Sequence, residues 1–226
     1  MRVLDFLKAT INDTNCVGIT RSECIEEAAD VIIQVTYPGT YYSVTEIADK
    51  IGASIIENGY DGIDTLLHAS EEYVGGEDAL QLRALYLVWN ALMNIILSIR
   101  DKLNNKHATL ILNSGLDIIV KLKTIATDVV SKIVGNIFVT FEELVQYDNV
   151  TKEQFEEKKI LSKCIGILKK NDEWHHRSES VMQEAIEFFD WCRDKHFFSR
   201  IPILNFSSLW NFRNETISGK YFDSKK

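Results

Sequence analysis

A chain of 226 residues that is 46% hydrophobic can bury a sizeable core, as one domain or as stacked units sharing that core, and is too apolar for a disordered protein. Its 33 acidic against 25 basic residues give a net charge of −8, which disfavours a general binder of phosphate backbones. Only two prolines, Pro38 and Pro202, and eleven glycines interrupt it, so long helices joined by short turns are expected rather than a strand-rich sandwich.

The opening stretch MRVLDFLKATIND carries Asp5 and Asp13 and no apolar run long enough for a signal peptide; a helix is expected at about 2–11. Thr20-x-x-Glu23 has the capping-box form, in which side chains satisfy the open backbone donors of a first turn, and introduces a helix at about 21–36. Val31-Ile32-Ile33-Gln34-Val35 is locally rich in β-formers, but the cap and the helical flank outweigh that propensity. Tyr37-Pro38-Gly39 breaks the chain, Ser43-x-x-Glu46 caps a helix at about 43–58, and another follows at about 61–73 before Gly75-Gly76. The next helix, at about 78–103, contains the longest strongly apolar stretch, Leu80 to Ile99. Gln81, Arg83, Asn90, Asn94 and Ser98 interrupt that stretch, so a buried helix of a soluble fold is expected rather than a bilayer span.

Two short helices at about 106–113 and 115–125 are expected to meet at Ser114-Gly115, and a long one follows at about 128–147. In the latter, Val129, Ile133, Ile137, Phe141 and Val145 recur four apart with Val130, Val134 and Phe138 beside them, a broad apolar face; Asp128, Lys132, Asn136 and Thr140 form the opposite stripe. Gly135 in its middle suggests the close approach of a neighbouring helix. Thr151-x-x-Gln154 caps a helix at about 152–170, Asn171-Asp172 ends it, and helices at about 179–196 and 204–213 complete the series. Residues 217–226 form a polar tail.

One grammar recurs. Asn58-Gly59 precedes Ile63, Leu66 and Leu67, and Asn113-Ser114-Gly115 precedes Ile118, Ile119 and Leu122; a long amphipathic helix follows each, centred on Asn90 and on Asn136. Leu112 to Leu122, followed by Val129 to Ile137 with its Gly135-Asn136 pair, resembles an armadillo repeat. The earlier copy, Ile55 to Gly59 and then Leu85 to Leu92, is similar but stretched by an insertion around Ser70 to Asp78. Weaker copies are suggested by Glu26 to Gln34, and by Ile160 to Leu168 followed by Val181 to Phe189. The resemblance implies an all-α fold, a right-handed armadillo-like α-solenoid (α-α superhelix) of about three to four short, irregular repeats, occupying 1–216 as a single domain.

In armadillo proteins the third helices line a concave groove. The resemblance places Asp30, Tyr86, Asn90, Asn94, Lys132, Asn136, Thr140, Gln183 and Glu187 on that face. Asparagine suits the role because its amide both donates to and accepts from the backbone of an extended peptide. The import receptors of the family carry a Trp-x-x-x-Asn ladder there; the corresponding pairs here are Tyr86 with Asn90, Lys132 with Asn136 and Gln183 with Glu187, so that ladder is absent. The implied function is binding of a protein or peptide partner, as an adaptor or a subunit of a larger assembly, through this face or the Ser70 to Asp78 insertion. Neither nucleic acid nor a membrane is expected as partner, no cofactor is expected, and the expected location is cytoplasmic or nuclear.

Other chemistry is less well supported. Cys16, Cys24, Cys164 and Cys192 show no CxxC pairing and are expected as reduced thiols, mostly buried. Cys192 and His196 lie four apart with His175-His176 upstream, but a core cysteine and a surface histidine explain them better than zinc. Glu26-Glu27, Glu142-Glu143 and Glu156-Glu157 are adjacent acids whose side chains point about 100° apart on a helix, which suits a charged surface better than a shared substrate. With no phosphate loop, GxSxG or HExxH, no catalytic residue is assigned. An all-α enzyme or small-ligand binder, and an accessory protein at nucleic acid or a membrane surface through a basic patch at Lys169, Lys170, His175, His176 and Arg177, are the alternative classes.

Overall fold

All regular structure in the computed structural model, which describes residues 2–15, 19–36, 61–73, 78–99, 102–122, 128–170 and 179–197, is helical. The helices are α1 (Arg2–Asn12), α2 (Ile19–Thr36), α3 (Asp61–Glu72), α4 (Ala79–Ile99), α5 (Asn105–Lys121), α6 (Asp128–Gln146), α7 (Lys152–Lys158), α8 (Ile160–Lys170) and α9 (Glu179–Asp194). The helices expected at 43–58 and 204–213, the breaks at 37–39, 75–76 and 171–172, and the tail lie outside the described residues.

Four local expectations are corrected. The two short helices expected to meet at Gly115 are one helix, α5, which starts where the Asn104 side chain accepts from His107 N–H at 2.9 Å. Gly115 is buried inside it: a Cβ there would lie 2.8 Å from the Phe141 ring and 3.0 Å from Ile137, so this glycine lets α5 lie close against α6. Gly135, by contrast, has open space where its Cβ would be, and no neighbouring helix among the described residues approaches it. The single helix expected at 152–170 is divided at Lys159, whose left-handed backbone (φ 52°) separates α7 from α8. Thr20 lies within the first turn of α2 rather than before it, whereas Thr151 forms the expected capping box with Gln154.

The long helices α2, α4, α6 and α9 pack each against the next, and α1, α3, α5 and α8 do the same beside them. The two sets are joined where α1 meets α2, α3 meets α4 and α5 meets α6. One continuous apolar core runs through both, from Leu7 to Phe197. Among the described residues α4 is the one helix long and apolar enough to cross a membrane; its Leu85, Val88, Trp89, Leu92 and Ile95 are fully buried in this core.

Three of these neighbouring pairs, α4 with α6, α3 with α5 and α6 with α9, run parallel. Lys132 of α6 lies within electrostatic reach of Tyr86 of α4, and beyond the far ends of the same helices Asn149 Nδ2 donates to the Leu103 carbonyl at 3.1 Å, 46 residues away. Both pairs have that same offset, as parallel, in-register helices require. Likewise His107 of α5 lies 3.5 Å from Asp64 of α3, and Ser114 lies 3.5 Å from Ser70. Between α6 and α9, Phe138 and Phe141 meet Phe188 at centroid distances of 5.8 Å, and past the helix ends Lys195 Nζ lies 2.7 Å from Asp148.

The C-termini of α6 and α9 also match. Asp148 (φ 55°) and His196 (φ 57°) take left-handed conformations, and the next N–H reaches back five residues in each: Asn149 to the Leu144 carbonyl at 3.0 Å, Phe197 to that of Cys192 at 2.9 Å.

The two glycines give an opposed pair of predictions. Gly115→Ala forces its methyl into a Phe141 ring held by Phe138 and Phe188 and is expected to destabilise the fold by about 1–3 kcal/mol. Gly135→Ala meets nothing and removes a helix-breaking residue, so it is expected to stabilise by about 0.5–1 kcal/mol. Urea denaturation of the two variants reads both signs; equal shifts would contradict the close α5–α6 approach.

Candidate interaction face

The parallel register sets Tyr86 level with Lys132 and Asn90 with Asn136, but between α6 and α9 the offset is 47 residues (Asp148 with Lys195, Phe141 with Phe188), so the expected pairs of Lys132 with Gln183 and Asn136 with Glu187 are displaced by about one turn. Tyr86, Asn90 and Asn94 descend α4; Lys132, Asn136 and Thr140 descend α6; Gln183 and Glu187 lie on α9. Lys132 and Gln183 are exposed, and Tyr86, Asn90, Asn136 and Glu187 are half-buried. Asp30 on α2 is exposed and accepts from Gln34 Nε2 at 2.6 Å.

Asn94 and Thr140 do not present side chains to solvent, contrary to expectation: Asn94 is 2% exposed and Thr140 is fully buried, with its hydroxyl donating to the Asn136 carbonyl at 2.7 Å. The reason is helical pitch. Residues four apart drift by about 40° per step, so the third member of each stripe has turned about 80° from the first, into the helix contacts. The side-chain nitrogens of Asn94 and Asn136 are buried without a hydrogen-bond partner.

Lys132 is held by Asp128, 2.7 Å away, whose hydrogen bond and charge push the lysine pKa up and keep it cationic. Further along, the face is acidic. One carboxylate oxygen each of Glu142, Glu184 and Glu187 lies within 4.8 Å of the others, across the boundary between α6 and α9. Burial pushes the Glu142 carboxyl up to about 7, reinforced by Glu187, Glu143 and Glu184 and opposed by a hydrogen bond from Trp191. Glu184 is raised too, by burial first and then by Glu187. Gln183 Nε2 donates to the Glu187 carboxylate.

This cluster was not legible as a site. Glu142-Glu143 does diverge along its helix, as expected; the partners of Glu142 come from the next long helix, 42 and 45 residues on in sequence. The 46-residue offset of Asn90 and Asn136 carried on from Glu142 falls on Phe188, so spacing alone does not identify Glu184 and Glu187 as its neighbours. Three such carboxylates are the donor type that a hard divalent cation takes, although exposed acids cluster commonly without one.

The zinc alternative gains nothing from the fold. Cys192 is fully buried, His196 is the exposed left-handed cap of α9, and His175 and His176 lie outside the described residues. Burial pushes the Cys164 thiol up to about 12; it also raises Cys192, with Cys164 adding to the effect. A cleft of about 200 Å³ lies between α1 and α3, lined by Lys8, Ile11, Asn12, Asp64, Thr65 and His68. That is below the roughly 300–1,000 Å³ usual for small-molecule sites. Comparison with protein-family models, curated proteins and solved structures gives no match for this chain.

The acidic cluster sets a pH dependence. Between about 4.5 and 7 the folded state holds a Glu142 proton that the unfolded chain has already released, so stability falls as pH rises through that window. After allowing for solvent screening of this half-exposed group, the loss is about 1 kcal/mol. Urea midpoints measured from pH 5 to pH 8 should show it, and Glu142→Gln should flatten the slope and be the more stable form at pH 8. An unchanged slope would contradict the cluster.

The thiols give a second test. Cys164 and Cys192 should alkylate only under denaturant, whereas half-buried Cys24 should react in the native protein, as read by mass spectrometry of each cysteine peptide. Native labelling of all three at one rate would contradict the described burial.

Proposed function

We propose that this chain is an armadillo-like helical-repeat module that binds a protein or peptide partner through the α4–α6–α9 face, as an adaptor or as a subunit of a larger assembly. The observation that carries this is the repeated parallel register: Asn149 with Leu103, 46 residues apart, past the ends of α6 and α4, and Lys195 with Asp148, 47 apart, past the ends of α9 and α6. Stacking of that kind, repeated from α4 to α6 and from α6 to α9, is what a short right-handed solenoid of three to four units requires. The register pairs Tyr86 with Lys132 and Asn90 with Asn136, and the 47-residue offset of Asp148 with Lys195 puts Gln183 level with Asn136 and Glu187 level with Thr140, an array suited to an extended segment.

The contact set is therefore Tyr86, Asn90, Lys132, Asn136, Gln183 and Glu187. Asn94 and Thr140, being interior, support the helices instead. No catalytic role is assigned to any of them, and no cofactor is invoked.

Partner capture with the full chain as bait, followed by substitution, tests the proposal. Lys132→Glu together with Asn90→Ala should weaken a captured partner by at least about tenfold, or 1.4 kcal/mol, while each substitution shifts stability by no more than about 0.5 kcal/mol. Undiminished binding by this folded variant would place the interaction elsewhere; partner-free capture would remove the adaptor reading.

A further inference from the structure

No further inference is drawn: the strongest candidate, the Glu142, Glu184 and Glu187 carboxylate cluster between α6 and α9, is an acidic cluster to which no independent feature among the described residues adds a sign of what would occupy it.

Discussion

The parallel packing of α4 on α6 is the contact on which the remaining architecture depends. It joins Trp89, Leu92 and Ile96 of one helix and Ile133, Ile137 and Phe141 of the other to the common core. Each such side chain contributes about 1.5–3 kcal/mol when withdrawn from water, so apolar burial supplies the stability. Register comes from elsewhere. An apolar stripe tolerates sliding, whereas the Asn149 amide must find the Leu103 carbonyl and Gly115 must sit opposite Phe141. Displacement by one turn would lose the hydrogen bond and drive side chains into the space that the missing Cβ leaves open.

The same device recurs at the next boundary with different chemistry. Phe188 of α9 fits against Phe138, Phe141 and Phe155, and Phe197 stacks on Phe155 at 4.8 Å, so an aromatic cluster holds this boundary. The polar lock is now Lys195 with Asp148. Asp148 serves twice, since its left-handed backbone also ends α6. Against this ordered packing stands the acid pressure of Glu142, Glu184 and Glu187, whose mutual repulsion is relieved only by a retained proton and by Trp191 and Gln183 as donors. The boundary that holds α9 thus combines close aromatic packing with mutually repelling carboxylates.

Most long helices were legible because their apolar residues recur three and four apart over several turns, as in Val129 to Val145. Thr151-x-x-Gln154 was legible because a capping box is a local, chemically specific signal. The division at Lys159 was not: Glu156-Glu157-Lys158-Lys159 contains neither glycine nor proline, and nothing local marks a left-handed residue there. The caps at Asp148 and His196 were hidden for the same reason. Gly115 and Gly135 were each misread in role, because a helical glycine signals permission for contact without saying whether a neighbour uses it. Of the candidate face, the pairing of Tyr86 with Lys132 and of Asn90 with Asn136 follows from the 46-residue spacing, whereas the placement of Gln183 and Glu187 does not. The burial of Asn94 and Thr140 follows from helical drift, and the Glu142 cluster needs the third dimension.

The proposed solenoid requires the long helices to form an open row rather than to close on themselves. Spin labels at positions 86, 132 and 183, which lie on α4, α6 and α9, test it most directly. With interaxial spacings of about 8–10 Å, an open row predicts backbone separations of about 10 Å for 86–132 and 132–183 and about 20 Å for 86–183. An 86–183 separation equal to the other two would show a closed bundle and contradict the account.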